Sequence, residues 1–592
     1  MCGIAGKLHW GPLKEDTPVQ KMCDRMIHRG PNSGSIVNLN NISLGHRRLS
    51  IIDLSSKANQ PMASKDGRYH IVYNGEVYNF KIIRKELDKI GYNFNSSSDS
   101  EVVMYAFVEW GEKCLQMFNG MFAFAIWDSK INQLFLARDR FGKKPLYYHI
   151  DNNKSFSFAS ELSALMADDT ISKNLSYEAL NSYLAIGYIL SPMTLYNDVY
   201  KLESASYLMI SDHGKKVSKV RYWNYADSFR NKTNASESEI SHNLITHLRE
   251  AVNRRLISDV PIGSFLSGGI DSSSIVSLMK ENLNDDLHTF SVGFKQESYD
   301  ETLDAGRVAK RLGTIHHNHY CDLNDDLELL DSAINGFDEP FSDNSLIPTY
   351  DLCKLASNYV TVALSGDGAD ELFAGYVTYK ADKYNNYFKI VPNFLKRILF
   401  NISSLPSFKN NKLGWGYKSR QFFHGALHKP EQAHYLWRVF FHPEDRVKIL
   451  GEQHRELIYD SDPYNIFKKY YSEAKDLELL DKYLYVDGMT WLTDDILVKV
   501  DRASMQHSLE VRCPYLDIDL VNYASSIPSD FKMKGFNTKY ILKKALKGVI
   551  PEFVLSKKKS GFNAPVGAWL ESDESDEFRT FNKYVYNKKV IF

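Results

Sequence analysis

The chain has 592 residues, few cysteines and no long apolar run, and its charges almost cancel. Its six cysteines form no Cys-x-x-Cys pair, so neither a disulfide framework nor a zinc site is indicated. No apolar stretch reaches membrane-spanning length and no signal peptide precedes Cys2, so we expect a cytoplasmic protein without a transmembrane segment. A formal net charge of -1 gives no global reason to expect nucleic acid or an acidic membrane as a partner. The expected partners are therefore small molecules.

The beginning of the chain carries the first chemical signal. Removal of the initiator methionine would leave Cys2 with a thiol and a free α-amine, so the nucleophile would have its own base. A cysteine at position 2 proves little alone, because any residue can follow Met1. Four polar motifs follow, however: His-Arg-Gly-Pro at 28–31, Arg-Leu-Ser-Ile-Ile at 48–52, Asn-Gly-Glu at 74–76 and Ser-Asp-Ser-Glu at 98–101.

Together these five elements, in this order and spacing, resemble the class II glutamine amidotransferase domain over roughly the first 200 residues. The resemblance implies that Cys2 attacks the glutamine side-chain amide, and that the Asn74 side chain and the Gly75 backbone N–H hold the resulting oxyanion. It also implies that Arg48 pairs with the α-carboxylate of glutamine and Asp99 with its α-ammonium. Taken alone, Arg48 or Asp99 would be an ordinary surface charge. The expected glutamine-binding residues are Arg48, Leu49, Ser50, Ile51, Ile52, Asn74, Gly75, Glu76 and Asp99.

Two glycine-rich loops form the second signal. The apolar run before Ser267 leads into Ser-Gly-Gly-Ile-Asp-Ser-Ser at 267–273 and then a helical pattern, which predicts a strand, a phosphate-binding loop and a helix. A second buried strand, 360–364, precedes Ser-Gly-Asp-Gly-Ala-Asp-Glu at 365–371. Each loop alone could be a plain turn. As a pair they follow the rule that open α/β sheets bind ligands at the carboxyl ends of their strands.

The first loop resembles the pyrophosphate loop of ATP pyrophosphatases, and the two loops together resemble the synthetase domain of glutamine-dependent asparagine synthetases. This resemblance implies ATP as a substrate, with Asp271 and Asp370 holding Mg²⁺. It also implies that Lys559, in the Lys-Lys-Lys-Ser-Gly-Phe motif at 557–562, stabilises the phosphates, although lysine runs are usually solvated. Val292 lies in a predicted strand and is nearly as well explained as ordinary core. The expected ATP-binding residues are Leu266, Ser267, Gly268, Gly269, Asp271, Ser272, Ser273, Val292, Ser365 and Gly366.

Asp367 is a departure that concerns the acceptor. The asparagine synthetases most similar in these motifs carry Glu there, and an Asp is one methylene shorter. A carboxylate that positions or deprotonates the attacking ammonia must reach it, so the shorter arm implies a shifted backbone or another acceptor. The Asp form resembles a branch thought to amidate sugar uronic acids for bacterial surface polysaccharides. The motif at 494–517 occurs both in that branch and in synthetases of the asparagine type, so it does not distinguish the two acceptors. Asp338, Glu339 and Asp343 are candidates for lining the acceptor pocket, although charges in a loop are more often simply solvated.

The expected organisation has two domains, as the length predicts more than one. Residues 1–205 are expected to form an α+β antiparallel sandwich of the N-terminal nucleophile type, with 206–238 as a polar linker region. Residues 239–592 are expected to form an α/β domain with a parallel sheet, and the aromatic and Lys-rich stretch 375–441 its helical cover. An acceptor-recognition or lipid-facing role for that stretch stays open, as does a non-catalytic binding function for the whole chain. The family resemblance suggests a homodimer.

Overall fold

The computed structural model describes residues 1–11, 18–151, 154–211, 214, 216–283, 286–296, 298–321, 326–403, 415–557, 561–570 and 577–591. Within these ranges, the N-terminal part contains twelve strands. Strands β1 to β12 are, in chain order, Gly3–His9, Ser33–Leu39, Ile42–Arg48, Met62–Ala63, Tyr69–Val77, Gly120–Asp128, Gln133–Arg138, Tyr147–Asp151, Ser155–Ala159, Val199–Lys201, Ser206–Ser211 and Lys216–Arg221.

These strands form two six-stranded antiparallel sheets that pack face to face. One sheet has the order β10-β8-β9-β1-β3-β2 and the other β12-β11-β7-β6-β5-β4. Apolar side chains from both sheets, including Ile4, Leu44, Val72 and Phe158, form one buried cluster between them. The outer face of β5 and β6 is covered by helices, which explains why almost every residue of β6 is buried. The predicted α+β antiparallel sandwich is confirmed.

The segment 206–238, expected to be a linker, contains two strands of this sandwich. Strand β11 pairs with β7 and with β12, so both extend the second sheet. The alternating burial of β11 fits a strand with one face on the core. Strand β11, Ser-Tyr-Leu-Met-Ile-Ser, has a short apolar run, whereas β12, Lys-Val-Ser-Lys-Val-Arg, is mostly polar and exposed. The connection between the two parts of the chain is therefore shorter and begins after Arg221.

The C-terminal part contains a five-stranded parallel sheet. Its strands are β13 (Ile262–Phe265), β14 (His288–Phe294), β15 (Ile315–Cys321), β16 (Val362–Leu364) and β17 (Glu510–Arg512). Their order is β15-β14-β13-β16-β17 and every pairing is parallel. The chain adds β14 and β15 on one side of β13 and then β16 and β17 on the other side, so the strand order, but not the strand direction, reverses between β13 and β16. Loops leaving the carboxyl ends of these two strands diverge and leave a crevice there.

Helices cover both parts of the molecule. Those of the N-terminal part are α1 to α6: Val19–Arg25, Phe80–Lys89, Asp99–Trp110, Cys114–Met117, Leu162–Leu165 and Tyr177–Ile186. Those of the C-terminal part are α7 to α27: Glu237–Arg254, Ile270–Lys280, Thr302–Leu312, Asp326–Asn335, Leu346–Ser357, Ala369–Phe373, Val377–Phe388, Asn393–Ser403, Trp415–Gly425, Pro430–Leu436, Pro443–Leu450, Arg455–Asp460, Tyr464–Glu473, Leu479–Met489, Leu497–Met505, Ile518–Ser526, Ser529–Lys532, Tyr540–Ala545, Glu552–Ser556, Val566–Trp569 and Glu577–Tyr586.

The helical predictions hold in outline. Helix α7 begins with a capping box between Ser236 and Glu239, which satisfies backbone N–H groups that the first turn leaves unpaired. Helices α13 to α16 confirm the helical cover expected at 375–441. Of the helices in the described residues, none combines the length and apolar character needed to cross a membrane.

A buried ionic network joins the two parts of the molecule. Arg29 of the N-terminal part contacts Asp501 of α21 through both terminal nitrogens, at 2.8 and 3.2 Å. Lys144 contacts the same carboxylate at 2.8 Å, and Arg502 contacts Glu161 at 2.7 Å. All of these side chains are nearly fully buried. Removing one partner from such a network would leave an uncompensated buried charge, so the network holds the two parts in a fixed arrangement.

Candidate active sites

Cys2 and Asn74 meet where the two sheets face each other. Cys2 stands at the start of β1 and Asn74 in β5, and the Cys2 backbone N–H donates to Asn74 Oδ1 at 3.0 Å. The Asn74 Nδ2 atom is buried and has no hydrogen-bond partner among the described residues. An unpaired buried donor is costly, so it calls for an acceptor that arrives with a ligand. Burial raises the pKa of the Cys2 thiol above its ordinary value, while the neighbouring ammonium opposes that shift.

Gly75 is required by the sheet as well as by the site. It lies directly opposite Phe122 of β6. A Cβ at position 75 would come within 2.3 Å of the Met121 carbonyl oxygen and 2.7 Å of the Phe122 Cα. Real Cβ atoms do not approach backbone so closely, so only glycine lets β5 and β6 lie at this distance. The backbone N–H of Gly75 is thereby placed next to the Asn74 side chain.

Arg48 is held from behind by the loop that follows β3. Its guanidinium donates to the Ser55 carbonyl at 2.8 Å, to Asn59 Oδ1 at 2.8 Å and to the Asp53 carbonyl. The predicted residues Leu49, Ser50, Ile51 and Ile52 form the start of this loop, and Leu49 contacts the Cys2 thiol through its backbone. The structure therefore brings the 48–52 motif and Cys2 together.

Asp99 begins α3, and its buried carboxylate lies against strand β5, which also carries Asn74. Its carboxylate accepts from the Tyr73 hydroxyl at 2.6 Å and from the Val77 N–H at 2.9 Å. Burial raises the pKa of Asp99 to about 6, against the lowering effect of these donors. Burial also raises the pKa of Glu76, which lies 3.7 Å from Arg512 of β17. The site thus contains an anchored cation at Arg48 and a buried carboxylate at Asp99.

The two glycine-rich loops meet beside the neighbouring strands β13 and β16, where the strand order of the parallel sheet reverses. A Cβ at Gly366 would lie 2.9 Å from the Asp271 Cβ and 3.0 Å from the Ser272 N, so the second loop touches the first. Within the first loop, the Ser267 N–H donates to Ser272 Oγ at 3.1 Å. Gly268 has a φ of +70°, which glycine adopts without strain. The loop then passes into the N-terminus of α8, where free N–H groups favour an anion.

Lys539 is a member of this site that motif analysis missed. Its ammonium lies 2.6 Å from both the Asp271 and the Asp370 carboxylates, and it is buried. These two carboxylates hold the pKa of Lys539 above its ordinary value, against the effect of burial. The only local sign of a special role is a φ of 54° in a non-glycine residue, which the sequence does not reveal.

The remaining predicted residues fall into four groups. Ser365 donates to Asp367 Oδ2 at 2.7 Å, so Asp367 lies beside the second loop. Leu266 and Val292 are buried, and Val292 lies in β14. Lys559 lies outside the described residues. The predicted Ser273 and Gly269 belong to the α8 start, with Gly269 as its N-cap residue.

The candidate acceptor carboxylates are ion-paired rather than solvated. Asp338 contacts Arg502 at 2.8 Å, and Glu339 contacts Lys201 at 3.0 Å. Asp343 contacts Lys499 at 2.7 Å. Lys499 also donates to Ser345 Oγ at 2.6 Å, and Asp343, Asp495 and Asp367 together raise its pKa. Lys499 is therefore a buried cation near Asp367, which sequence reasoning placed in a motif but gave no role.

The two sites define the class of this protein: an enzyme with a glutamine amidotransferase sandwich joined to a nucleotide-binding α/β domain. The family model described as a glutamine amidotransferase domain matches residues 1–223, and the asparagine synthase model matches residues 243–580. The chain belongs to the asparagine synthase family, and it is a carbon–nitrogen ligase with glutamine as the amide donor.

Relatives in several organisms are similar over most of the chain. An asparagine synthetase (glutamine-hydrolysing) of Bacillus subtilis is 35% identical over 98% of this chain and 89% of its own length. A putative asparagine synthetase of Methanocaldococcus jannaschii is 36% identical over 85% of this chain and 98% of its own. A solved structure of glutamine phosphoribosylpyrophosphate amidotransferase from B. subtilis overlaps 54% of this chain and 65% of its own, at 15% identity and a TM-score of 0.28.

Proposed function

We propose that this protein is a glutamine-dependent asparagine synthetase. It would hydrolyse glutamine to glutamate and ammonia, adenylate the side-chain carboxylate of aspartate with ATP, and release asparagine, AMP and pyrophosphate. The observation that carries the proposal is the presence of both sites in one chain: Cys2 beside the unpaired Asn74 amide, and two glycine-rich loops in contact at Gly366. Curated relatives of nearly full length that are named asparagine synthetases support it.

In the glutaminase half, the geometry supports a role for each predicted residue. With Met1 removed, the Cys2 α-amine can take the thiol proton as the thiolate attacks the amide carbon. The unpaired Asn74 Nδ2 and the Gly75 N–H would donate to the oxyanion, where they act in a buried setting of low polarity. Arg48 is held by hydrogen bonds to the Ser55 carbonyl and to Asn59, which supports its proposed pairing with the α-carboxylate of glutamine. Asp99, when ionised, would bind the α-ammonium.

In the synthetase half, the loop 267–273 and the start of α8 would bind the pyrophosphate part of ATP. Asp271 and Asp370 converge on one cation, the Lys539 ammonium, so the pair suits a positive ligand. Within the described ranges no set of three or more His, Cys, Asp or Glu side chains could hold a metal alone. Mg²⁺ with these two carboxylates would therefore need phosphate and water oxygens, as is usual for this ion. Bound Mg²⁺ would neutralise charge on the departing phosphates.

For the acceptor, we propose that Lys499 helps to hold a substrate carboxylate near Asp367. It is buried, positively charged and already bound to Asp343 and Ser345 on one side. Asp367, held by Ser365, would position the attacking ammonia. The relatives' names support aspartate as the acceptor, and none that we describe supports a sugar uronate.

Transfer of ammonia between the sites would cross the boundary held by the Arg29–Asp501 pair. Two small cavities lie at this boundary, and both are lined by Tyr147 and Lys201 from one side and by Asp494 and Arg502 from the other. An enclosed route keeps ammonia unprotonated, which water would not. We place the domain division between Arg221 and Ser236, and we expect a homodimer in the cytoplasm, where the six free cysteines stay reduced.

The test uses purified, untagged protein with ATP, Mg²⁺ and glutamine, and compares aspartate with a panel of uronic acids and their nucleotide conjugates. We expect aspartate-dependent pyrophosphate release with one asparagine formed per AMP. Cys2→Ala should lose the glutamine-driven reaction and keep synthesis from added ammonium. Pyrophosphate release with a uronic acid and none with aspartate would contradict the acceptor. Loss of the ammonium reaction in a folded Cys2→Ala variant would contradict separate sites.

A further inference from the structure

Helix α14 has two faces of different character. Its inner face packs on the neighbouring α15, with Lys396 buried and the Phe400 ring 5.3 Å from the His424 ring. Its outer face carries Phe394, Leu395, Ile398 and Ile402, all exposed. Residues at spacings of three and four share one face of a helix, so these four apolar side chains form a stripe. The helix is therefore amphipathic with an apolar side turned to solvent.

The exposed apolar area continues beyond the helix. Ile390, on the turn before α14, is 88% exposed, and Phe394 and Ile402 are 63% and 59% exposed. Two tyrosines of α13 add to it. We call this the α14 surface: Tyr384, Tyr387, Ile390, Phe394, Leu395, Ile398 and Ile402. Single exposed apolar residues are ordinary, but a continuous group of this kind marks a contact surface.

The exposed charges of the segment that carries most of the α14 surface are basic. The charged residues between 377 and 403, all within the described ranges, are Lys380, Asp382, Lys383, Lys389, Lys396 and Arg397. The one carboxylate among them is buried and is bound by His434 and Trp437. Lys389 and Arg397 are exposed beside the apolar stripe. An apolar face flanked by exposed basic residues complements a surface of acyl chains beneath anionic headgroups.

We propose that the α14 surface binds an anionic lipid membrane, with α14 lying in the plane of the interface. Helix α14 has 11 residues, so it is about 16 Å long and too short to span a bilayer. It can bury Phe394, Ile398 and Ile402 among the headgroups while Lys389 and Arg397 reach the lipid phosphates. A second copy of the chain is a poorer partner, because a two-fold contact would place Lys389 and Arg397 against their own copies.

This surface adjoins the synthetase site. Tyr384 stacks on Phe536 with ring centroids 4.2 Å apart. Phe536 lies in the turn that leads, three residues later, to Lys539 between its two carboxylates. Membrane contact would thus place the nucleotide-binding end of the C-terminal domain near the lipid surface.

The test is co-sedimentation of the full-length protein with vesicles of phosphatidylcholine alone and of phosphatidylcholine with phosphatidylglycerol, at low and high salt. We expect binding to the anionic vesicles that weakens as salt rises. Both the double variant Phe394→Ser/Ile398→Ser and the double variant Lys389→Glu/Arg397→Glu should lower the partition coefficient by roughly tenfold or more. The matched control, Ile82→Ser/Leu303→Ser, changes equally exposed apolar residues elsewhere and should bind as the unchanged protein does.

Ammonium-driven synthesis serves as the check that each variant is folded. Absence of binding to anionic vesicles at low salt would overturn the proposal. So would equal binding by the α14 variants and the control, because the contact would then lie elsewhere. Light scattering measures the oligomeric state of the same proteins. If the unchanged protein is a dimer that binds no vesicles, and the Phe394→Ser/Ile398→Ser variant is a monomer, the α14 surface binds a second copy of the chain and the membrane proposal is overturned.

Discussion

The unpaired amide of Asn74 is the residue-level feature that most directly tests the glutaminase site. Asn74→Ala removes the Nδ2 donor but leaves Cys2 in place, so we expect glutamine-driven turnover to fall by roughly 10²–10³-fold, as for other oxyanion donors. Alkylation of Cys2 by iodoacetamide and synthesis from ammonium should continue. The measurements are the rate of glutamate formation from glutamine and the rate of asparagine formation from ammonium. Unchanged turnover would show that Nδ2 faces no developing charge.

Asp99 predicts an acid limb in the pH profile for glutamine. Its pKa lies at about 6 because burial disfavours the charged form. Below that pH the group becomes neutral and no longer pairs with the α-ammonium, so kcat/KM for glutamine should fall about tenfold per pH unit. The pKa of Asp99 is higher in the folded protein than in the unfolded chain, so the folded state binds the proton more tightly. As the pH falls through about 6, protonation of Asp99 therefore favours the folded state over the unfolded one. The loss is thus a loss of binding and not of structure.

The profile is measured by steady-state kinetics with circular dichroism at each pH. Ammonium-driven synthesis acts as the control, since it does not use Asp99. Asp99→Asn should have a low, pH-independent kcat/KM over the same range. A profile for glutamine that matches the ammonium profile would contradict the role of this carboxylate.

Replacing Lys539 should change both the stability of the protein and its response to Mg²⁺. In Lys539→Met the Asp271 and Asp370 carboxylates lose their shared cation, so stability should fall by about 2–3 kcal/mol, less than for a fully buried pair because both carboxylates are partly exposed. Mg²⁺ without ATP should then raise the melting temperature of the variant more than that of the unchanged protein. Lys539→Arg keeps the charge and is the matched control. Equal Mg²⁺ effects in all three proteins would count against a shared cation site.

Residues within short motifs could be predicted from the sequence, and residues between motifs could not. Cys2, Asn74 and Asp99 each stand in a recognisable string, and the structure places Asn74 against Cys2 and Asp99 against Tyr73, the neighbour of Asn74 in β5. Lys539 contacts Asp271, 268 positions earlier, and no local pattern reports such a contact. The ion pairs of Asp338 and Asp343 likewise depend on partners from distant helices.

At the scale of single elements, the contact between β5 and β6 predicts a stability change. Gly75→Ala forces a Cβ against the Met121 carbonyl, so we expect a loss of about 1–3 kcal/mol in the free energy of unfolding. Gly306 in α9 is the matched control, because a Cβ there meets no atom within 4 Å. Gly306→Ala should stabilise by about 0.5–1 kcal/mol. Urea titration of both variants checks the contrast, and equal effects would contradict the packing argument.

Elements were predictable where hydrophobic pattern and turn chemistry agreed. The predicted strand, loop and helix around Ser267 correspond to β13 and α8. The 206–238 segment was misjudged because its polar edge strand β12 is exposed along its length. An edge strand with two solvated faces carries little hydrophobic signal. The basic, apolar α14 surface was similarly hidden by a net charge near zero.

At the scale of the whole molecule, Asp501 is the residue whose loss should uncouple the two halves. Asp501→Ala leaves Lys144 buried without this carboxylate and leaves Arg29 with Glu161 as its remaining carboxylate partner, which should cost about 3–5 kcal/mol. Arg29 also donates to the Cys2 carbonyl at 3.1 Å, so the glutaminase site should loosen with it. We expect glutamate formation to exceed asparagine formation in the variant.

The control for Asp501→Ala is Glu281→Ala, which breaks a surface pair with Arg249. Exposed pairs contribute little, so this change should stay within about 0.5 kcal/mol and leave the product ratio unaltered. Thermal unfolding and the two product yields are measured on the same samples. A product ratio that stays at unity in a destabilised Asp501→Ala would show that the network stabilises the fold without governing ammonia transfer.

Strand β17 limits how the N-terminal domain of this enzyme can be exchanged for that of a relative. The Arg512 carbonyl accepts the Ser365 N–H at 2.9 Å, while its guanidinium donates to the Arg255 and Ile257 carbonyls and lies near Glu76. A chimera in which the first 223 residues come from a relative would keep Arg512. It would replace the surface around Glu76 that Arg512 faces in this chain. The two domains are therefore not interchangeable modules, and any exchange must carry Glu510 and Arg512 along with the glutaminase it serves.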